Sequence, residues 1–461
     1  MRKLFNVLIV VTSVISIVLC IRNLQHSAYS YLFVLPTTYI IIFPFINNLT
    51  SSAPNNIITT YMVMIIMWLR MVVAPLYGAS NDMFMLIGDR TAEDIDTAIL
   101  LIMYEAIIIS IALHLFSNKE RKYVNSIVKL DGSPLVYWGL IFVAIVLFFT
   151  VGRHMQLFEF GIKTIGEDID RAGDITDTKL IIVRRIISSG YLFLFMIFIE
   201  KMRMKFDEEG KNKYPYYAIG AAILMICIIV GERRTAQLYI AFASCWTLIR
   251  LFPSSQKGIV RLISVAAVIV LSLMTIYKQF NAFLYDSYTE ALMSTDVEDG
   301  LSPQLLDSYL YGVNTVSSNV AYGNIANLNI TNLLYDIVRS IFGLSFFVKG
   351  DMDLTSEMYN MYIYSGEQKT GLLLSSVGYG YAYFGFVLSP LFTIINIILM
   401  ILLETKMRLC KSIEMCYIWA YIYMRFAFGF LGSIPPLISN TTQTLFISGG
   451  LYWFASKFIK R

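Results

Sequence analysis

Apolar runs of about 17 to 22 residues recur along the chain, and each is long enough to cross a hydrocarbon layer of about 30 Å as a helix. They occupy residues 4–21, 29–46, 57–77, 97–116, 135–151, 179–200, 215–231, 236–252, 261–278, 378–403, 413–432 and 441–458. Helix is the expected form, because in lipid every backbone N–H and C=O must be satisfied within its own segment. The pattern predicts an all-α transmembrane bundle of about twelve spans. It divides the chain into spans 1–9 over residues 1–278, one long connection over residues 279–370, and spans 10–12 over residues 371–461.

Composition agrees with the pattern. Of 461 residues, 57% are hydrophobic and 15% charged, more apolar surface than one water-soluble core can hide. The first run follows Arg2 and Lys3 and is read as a retained span. A signal peptide is the alternative, but no small-residue cleavage site follows it in Arg22-Asn23-Leu24-Gln25. Cys20, Cys227, Cys245, Cys410 and Cys416 fall within or beside apolar runs without metal-ligand spacing, so they are expected to pack and not to pair.

Basic residues then orient the spans, since basic loops stay cytoplasmic. Arg2 and Lys3, the group Lys119, Arg121, Lys122 and Lys129, the group Lys201, Arg203 and Lys205, Lys257 with Arg261, Lys406 with Arg408 and Lys411, and Lys457 with Lys460 and Arg461 all fall on one side. Both termini therefore belong in the cytoplasm. The opposite side receives acidic loops, one with Asp82, Asp89, Glu93, Asp94 and Asp96, another with Glu159, Glu167, Asp168, Asp170, Asp174 and Asp177. The long connection is also external, and a loop of that length is structured or functional. Its aliphatic and aromatic content predicts amphipathic helices lying on the bundle, joined by polar turns such as residues 324–332. An extra span over residues 333–347 would place Asp336 and Arg339 in lipid and reverse every later loop.

Arginine placement is the first sign of chemistry. Arg70 lies inside the third run, Arg184 and Arg185 near the outer end of the sixth, and Arg425 in the eleventh, while the external turn Gly231-Glu232-Arg233-Arg234-Thr235 adds two more. Charges in hydrocarbon cost at least about 2.5 to 3.5 kcal/mol each, so those retained usually face a cavity or a partner. Guanidinium groups match phosphate oxygens with paired hydrogen bonds, so an outward-biased set describes a phosphate or diphosphate site. The simpler alternative is that Arg184 and Arg185 snorkel to headgroups, Arg233 pairs with Glu232, and Arg70 pairs with Glu105, the one carboxylate well inside a run.

After the long connection, residues 371–385 replace plain aliphatics by Gly, Ser and Tyr, with Tyr379, Tyr381 and Tyr383 spaced two apart. Such a surface offers stacking faces and hydroxyls suited to carbohydrate; its plainer reading is a helix-packing motif beside an aromatic belt.

A dozen spans, a long external loop late in the chain, the Gly-Glu-Arg-Arg turn and the Gly-Tyr-rich run after the loop resemble the Wzy-type oligosaccharide repeat-unit polymerases that make bacterial O-antigen and capsule. The resemblance covers essentially the whole chain. Arg339 to Gly350 matches an Arg, ten residues, Gly pattern found in external loops of some members, and residues 153–179 hold no second copy. The resemblance implies a GT-C-like bundle in the bacterial inner membrane. It implies transfer of a growing glycan from undecaprenyl diphosphate to a second lipid-linked repeat unit on the outer face. Arg233, Arg234, Arg184, Arg185, Arg70, Arg425 and Arg339 would then stabilise the departing diphosphate, and Tyr379, Tyr381 and Tyr383 would hold glycan. Neither cofactor nor metal is expected, with three histidines in the chain and Asp351 and Asp353 in a loop away from nucleotide sugars. Partners would be undecaprenyl-diphosphate-linked oligosaccharides, membrane lipids and a chain-length-regulating co-polymerase, with no nucleic acid.

A general base helps a sugar hydroxyl attack. His154, Asp286, Asp307, Asp336, Asp351, Glu357 and Glu367 are external candidates, and Asp336 and Glu357 lead because their loop is large enough to close over two glycans. Two competing functions remain open. A lipid-linked oligosaccharide flippase or transporter would show two similar halves and short external loops, whereas an O-antigen ligase shares the layout.

Overall fold

The structure is a computed structural model that describes residues 2–22, 27–81, 90–117, 128–152, 159–160, 178–229, 234–279, 303–348, 352–366 and 372–458. In these the chain is helical apart from connections and one two-residue antiparallel pair, Glu159–Phe160 with Ile228–Ile229. Among the described residues six helices are long and apolar enough to cross a membrane: Leu4–Arg22, Ile57–Ala79, Ala92–Phe116, Pro134–Val151, Ile182–Glu209 and Pro253–Ser272. A seventh is a bent pair, and Ala236–Leu251 is apolar but shorter.

Two compact units form from interleaved stretches of chain. The first holds Met1–Lys122, Leu301–Thr405 and Arg425–Thr442, the second Tyr123–Gly300, Lys406–Met424 and Gln443–Arg461. In the second, helices α6 (Pro134–Leu147), α7 (Thr178–Glu209), α8 (Lys213–Cys227), α9 (Arg234–Leu251) and α10 (Gln256–Gln279) pack as successive neighbours. Its polar anchor is Glu414, fully buried, which accepts from the Gly132 N–H at 2.9 Å and the Tyr137 hydroxyl at 2.8 Å.

The first unit is built from α1 (Arg2–Arg22), α2 (Val34–Ser52), α3 (Ile57–Trp68), α4 (Ala74–Asn81) and α5 (Ala92–Phe116). A π-helical turn, Leu69–Val73, joins α3 to α4 and carries Arg70. Such wide turns recur at functional positions. The start of α5 is fixed by a capping box in which Thr91 Oγ1 accepts from the Asp94 N–H and the Asp94 carboxylate accepts from the Thr91 N–H.

The described part of the long connection, from Pro303 on, belongs to this same unit. It folds as α11 (Pro303–Leu310), α12 (Val313–Ile325), α13 (Ile330–Ser340) and α14 (Thr355–Ile363). Helix α13 is the amphipathic surface helix that the sequence predicts, and at eleven residues it is too short to cross a membrane. Helix α12 departs from expectation. It does not lie on the bundle but packs between α5 and the helix that begins at Ser376, with nine of its thirteen residues buried. Small side chains permit this: a Cβ on Gly378 would sit 2.4 Å from Asn319 Cβ, and one on Gly323 3.3 Å from Ala382 Cα. Just ahead of α12, the Tyr311 carbonyl accepts from Arg70 Nε at 2.8 Å, so the connection reaches a residue near the middle of the candidate span Ile57–Ala79.

The run at residues 378–403 also differs from the single span expected. It is two helices, α15 (Ser376–Leu388) and α16 (Leu391–Leu409), bent by 110°. Gly385 takes φ +70° inside α15, Pro390 has no N–H to continue a helix, and Gly380 lets the chain fold back, since a Cβ there would meet the Ser389 carbonyl at 2.1 Å. Helices α17 (Ile413–Gly429), α18 (Ile434–Thr444) and α19 (Gly450–Phe458) complete the described chain.

Candidate functional site: a carboxylate held by tyrosines

Asp336 lies on the inward face of α13 and is 2% exposed. Its Oδ2 accepts hydrogen bonds from the Tyr379 hydroxyl at 2.7 Å and the Tyr383 hydroxyl at 3.3 Å. Its Oδ1 accepts from the Thr355 N–H at 3.1 Å and so caps α14 from another helix. Thr355 Oγ1 lies 2.5 Å from the Tyr383 hydroxyl, which closes a ring of three residues through the Thr355 backbone N–H. Tyr379 and Tyr383 share this side of α15 because they are four apart, and Ser375 starts the helix by accepting from the Gly378 N–H at 2.9 Å. Tyr379 and Leu333, the latter one turn before Asp336 on α13, belong to a buried hydrophobic cluster with Tyr322, Tyr359 and Phe392. Burial, and after it the Asp336 charge, push the Tyr322 hydroxyl upward in pKa.

A second polar cluster stands in the same unit, at the start of α12. Arg90 Nη1 donates to the Asn314 carbonyl at 2.6 Å and to Ser317 Oγ at 2.8 Å. Tyr29 donates to Asn314 Oδ1 at 2.6 Å, and Asp307 accepts from the N–H groups of Asn314 and Thr315. Burial lowers the pKa of Arg90 and raises that of Asp307. The Tyr359 hydroxyl is raised by burial as well, with Arg90 pulling the other way.

The residues singled out from sequence take different places. Asp336, Tyr379 and Tyr383 come together. Tyr381, two residues along α15, instead donates to Asn324 Oδ1 at 2.8 Å, and Asn324 donates to Asp94 at 3.1 Å. Glu357 is exposed and accepts from the Leu354 N–H at 2.9 Å, within its own helix turn. Arg339 is exposed on α13 and donates to the Ser345 carbonyl at 2.6 Å. Arg70 is fully enclosed and pairs with Glu105 at 2.5 Å, the pairing weighed above as the simpler alternative, with Thr393 on the other Glu105 oxygen. Arg425, half-buried on α17, belongs to the first unit; Arg184 and Arg185, both half-buried on α7, belong to the second, where Arg185 donates to Gln443 at 2.9 Å. Arg233, His154, Asp286, Asp351 and Glu367 lie outside the described residues, and Arg234 opens α9.

Sequence reasoning missed Arg90, Tyr322, Tyr359 and Thr355. Arg90 carried a usable signal, an arginine in an otherwise acidic loop. The others carried none, because a tyrosine in a long connection looks the same whether it faces a carboxylate or solvent. Among the described residues no group of three or more His, Cys, Asp or Glu side chains is placed to hold a metal ion. Comparison with models of known protein families, with curated proteins and with solved structures finds no match for this chain.

Proposed function

We propose that this protein is a membrane glycosyltransferase that polymerises undecaprenyl-diphosphate-linked repeat units on the outer face of a bacterial inner membrane. In this reading it has about twelve spans, a GT-C-like bundle and both termini in the cytoplasm. The observation that carries the reading is Asp336, a buried carboxylate held by two tyrosine hydroxyls at the edge of an inter-span segment. The acceptor sugar hydroxyl attacks the anomeric carbon of the donor, the bond to the diphosphate oxygen breaks, and undecaprenyl diphosphate leaves with the electron pair. The hydroxyl proton passes to the Tyr383 oxygen as the Tyr383 proton moves to Asp336, since Asp336 itself is closed to solvent and Tyr383 is half-exposed. Arginines on the outward side stabilise the leaving diphosphate.

Deletion of the gene, followed by gel analysis of surface glycan and lipid-linked intermediates, tests this. Single repeat units on the outer surface with no longer chains support a polymerase. Long polymer left unattached supports the related ligase, and repeat units trapped inside support a flippase. Transport is the second reading, and one feature favours it: the α15–α16 pair is broken and bent by 110°, as transporter helices are at their substrate sites.

A further inference from the structure

Helix α13 has two contrasting sides. Asp336 and Leu333 face inward, while Ile330 and Leu334 face outward and are more than half exposed. The outward surface continues past the helix end through Leu344, Phe346 and Phe347, and Phe347 is 86% exposed. A water-facing segment does not keep five large apolar side chains uncovered over nineteen residues without a partner. Among the described residues 330–348 the exposed charge is Arg339 alone, since Asp336, the other charged residue, is turned inside. Arg339 is nine residues on from Ile330 and five on from Leu334, which puts it on the far side of α13 from both. An apolar side opposite a charged one is the pattern of an amphipathic helix lying at a lipid surface, with its apolar side chains among acyl chains.

The anchoring of this segment places lipid within reach. Thr442 Oγ1, on α18, accepts from the Phe342 N–H at 3.0 Å, and the Asp336 bonds tie α13 to the start of α15, the first half of the bent candidate span. The surface is therefore bolted to helices of a membrane-embedded unit. We propose that α13 and the turn through Phe347 form an interfacial anchor, seated about 5 to 10 Å into the headgroup and acyl boundary of the outer leaflet. Its partner is the lipid layer itself. This holds whichever reaction the protein catalyses, and it has a consequence for the polymerase reading. With its outward side in lipid, α13 holds Asp336 at a fixed depth, level with the first sugars of a lipid-linked glycan.

The test uses the full-length protein in nanodiscs of phosphatidylglycerol and phosphatidylethanolamine carrying an alkyne-tagged acyl chain. A benzophenone-bearing amino acid replaces Phe347 or Leu334 in turn. Val14, exposed on α1, serves as the lipid-facing control, and Asp353, exposed and polar, as the aqueous control. After irradiation, lipid adducts at 347 and 334 at the level of the Val14 control support the anchor. Adducts no more abundant than at Asp353 overturn it. A cross-linked band at twice the chain mass also overturns it, because a second copy then covers the face. Since no glycan substrate enters the experiment, its failure is separate from a failure of the polymerase reading.

Discussion

Replacing Asp336 by Asn removes a charge at the proposed proton acceptor while keeping its shape. The present bonds are Thr355 N–H on Oδ1 and the Tyr379 and Tyr383 hydroxyls on Oδ2. A backbone N–H can only donate, whereas phenol hydroxyls can turn and accept. The Asn carbonyl therefore settles on Thr355 and its amide donates to the tyrosines, so every partner stays bonded. The loss is the charge-assisted part of those bonds, about 1 kcal/mol each, offset by no longer burying a charge away from water. Removing a general base lowers a rate by about 10²- to 10⁴-fold. Asp336→Asn should thus insert normally and melt close to wild type, yet leave single repeat units as the product. Asp336→Ala should differ, since the buried Thr355 N–H and Tyr379 hydroxyl lose their acceptor at about 1 to 3 kcal/mol each, while the half-exposed Tyr383 hydroxyl keeps Thr355 Oγ1, and it should fail in folding as well as activity. The assay is gel analysis of polymer made by a deletion strain carrying each variant, with melting of purified protein followed by fluorescence-detected size exclusion. Normal polymer from a well-expressed Asp336→Asn variant would refute the role given to this carboxylate.

Further outcomes follow from the same geometry. Arg70→Leu or Glu105→Leu alone strands a buried charge and should destabilise by about 3 to 5 kcal/mol, while the double variant should recover most of the loss in a detergent melting series. Gly378→Ala forces Asn319 away from the Ser375 N–H and hydroxyl it now accepts from at 2.8 Å, an overpacking loss of about 1 to 3 kcal/mol visible as a lower melting temperature. Arg233→Ala or Arg234→Ala should abolish polymerisation with insertion intact, and Lys122→Ala should do little; normal polymer in both arginine variants would remove them from the site. Polymerisation in isolated membranes should persist in EDTA, because the reaction proposed stabilises the leaving group by arginine; its loss, restored by a divalent cation, would overturn that point.

Much of the helical layout is legible in the sequence, because hydropathy reports directly on where backbone must be satisfied internally. A helix, or two helices joined by a π turn, stands at each run from 4–21 to 261–278 and again at 413–432 and 441–458. The bend after α15 escaped because a hydropathy window averages over it, although Gly385 and Pro390 were in plain sight as the residues that permit one. Helix α12 escaped for the opposite reason. Asn314, Ser317, Ser318 and Asn319 carry no pattern that marks a buried helix, and only the structure shows their partners: Arg90, Tyr29, Ser375 and the turns of α12 itself. The Arg70 pairing was legible as one of two readings, since Glu105 was the one carboxylate at comparable depth.

The Asp336 ring draws on α13, the start of α14 and α15, all within residues 336–383, so it closes with sequence separations of 19 to 47 residues. Contacts this local close with less loop entropy than contacts between distant spans, and local contacts favour early formation. That is a reason for a long connection to carry the carboxylate while the neighbouring helix carries the tyrosines: the two can form one rigid element before the chain finishes the bundle. The buried Arg70–Glu105 pair then does a different task. Arg70 reaches the Tyr311 carbonyl, Glu105 accepts from Thr393, and the π turn between α3 and α4 is thereby joined to the connection, and α5 to α16. Charge in the interior of this unit therefore positions the element that carries the candidate site.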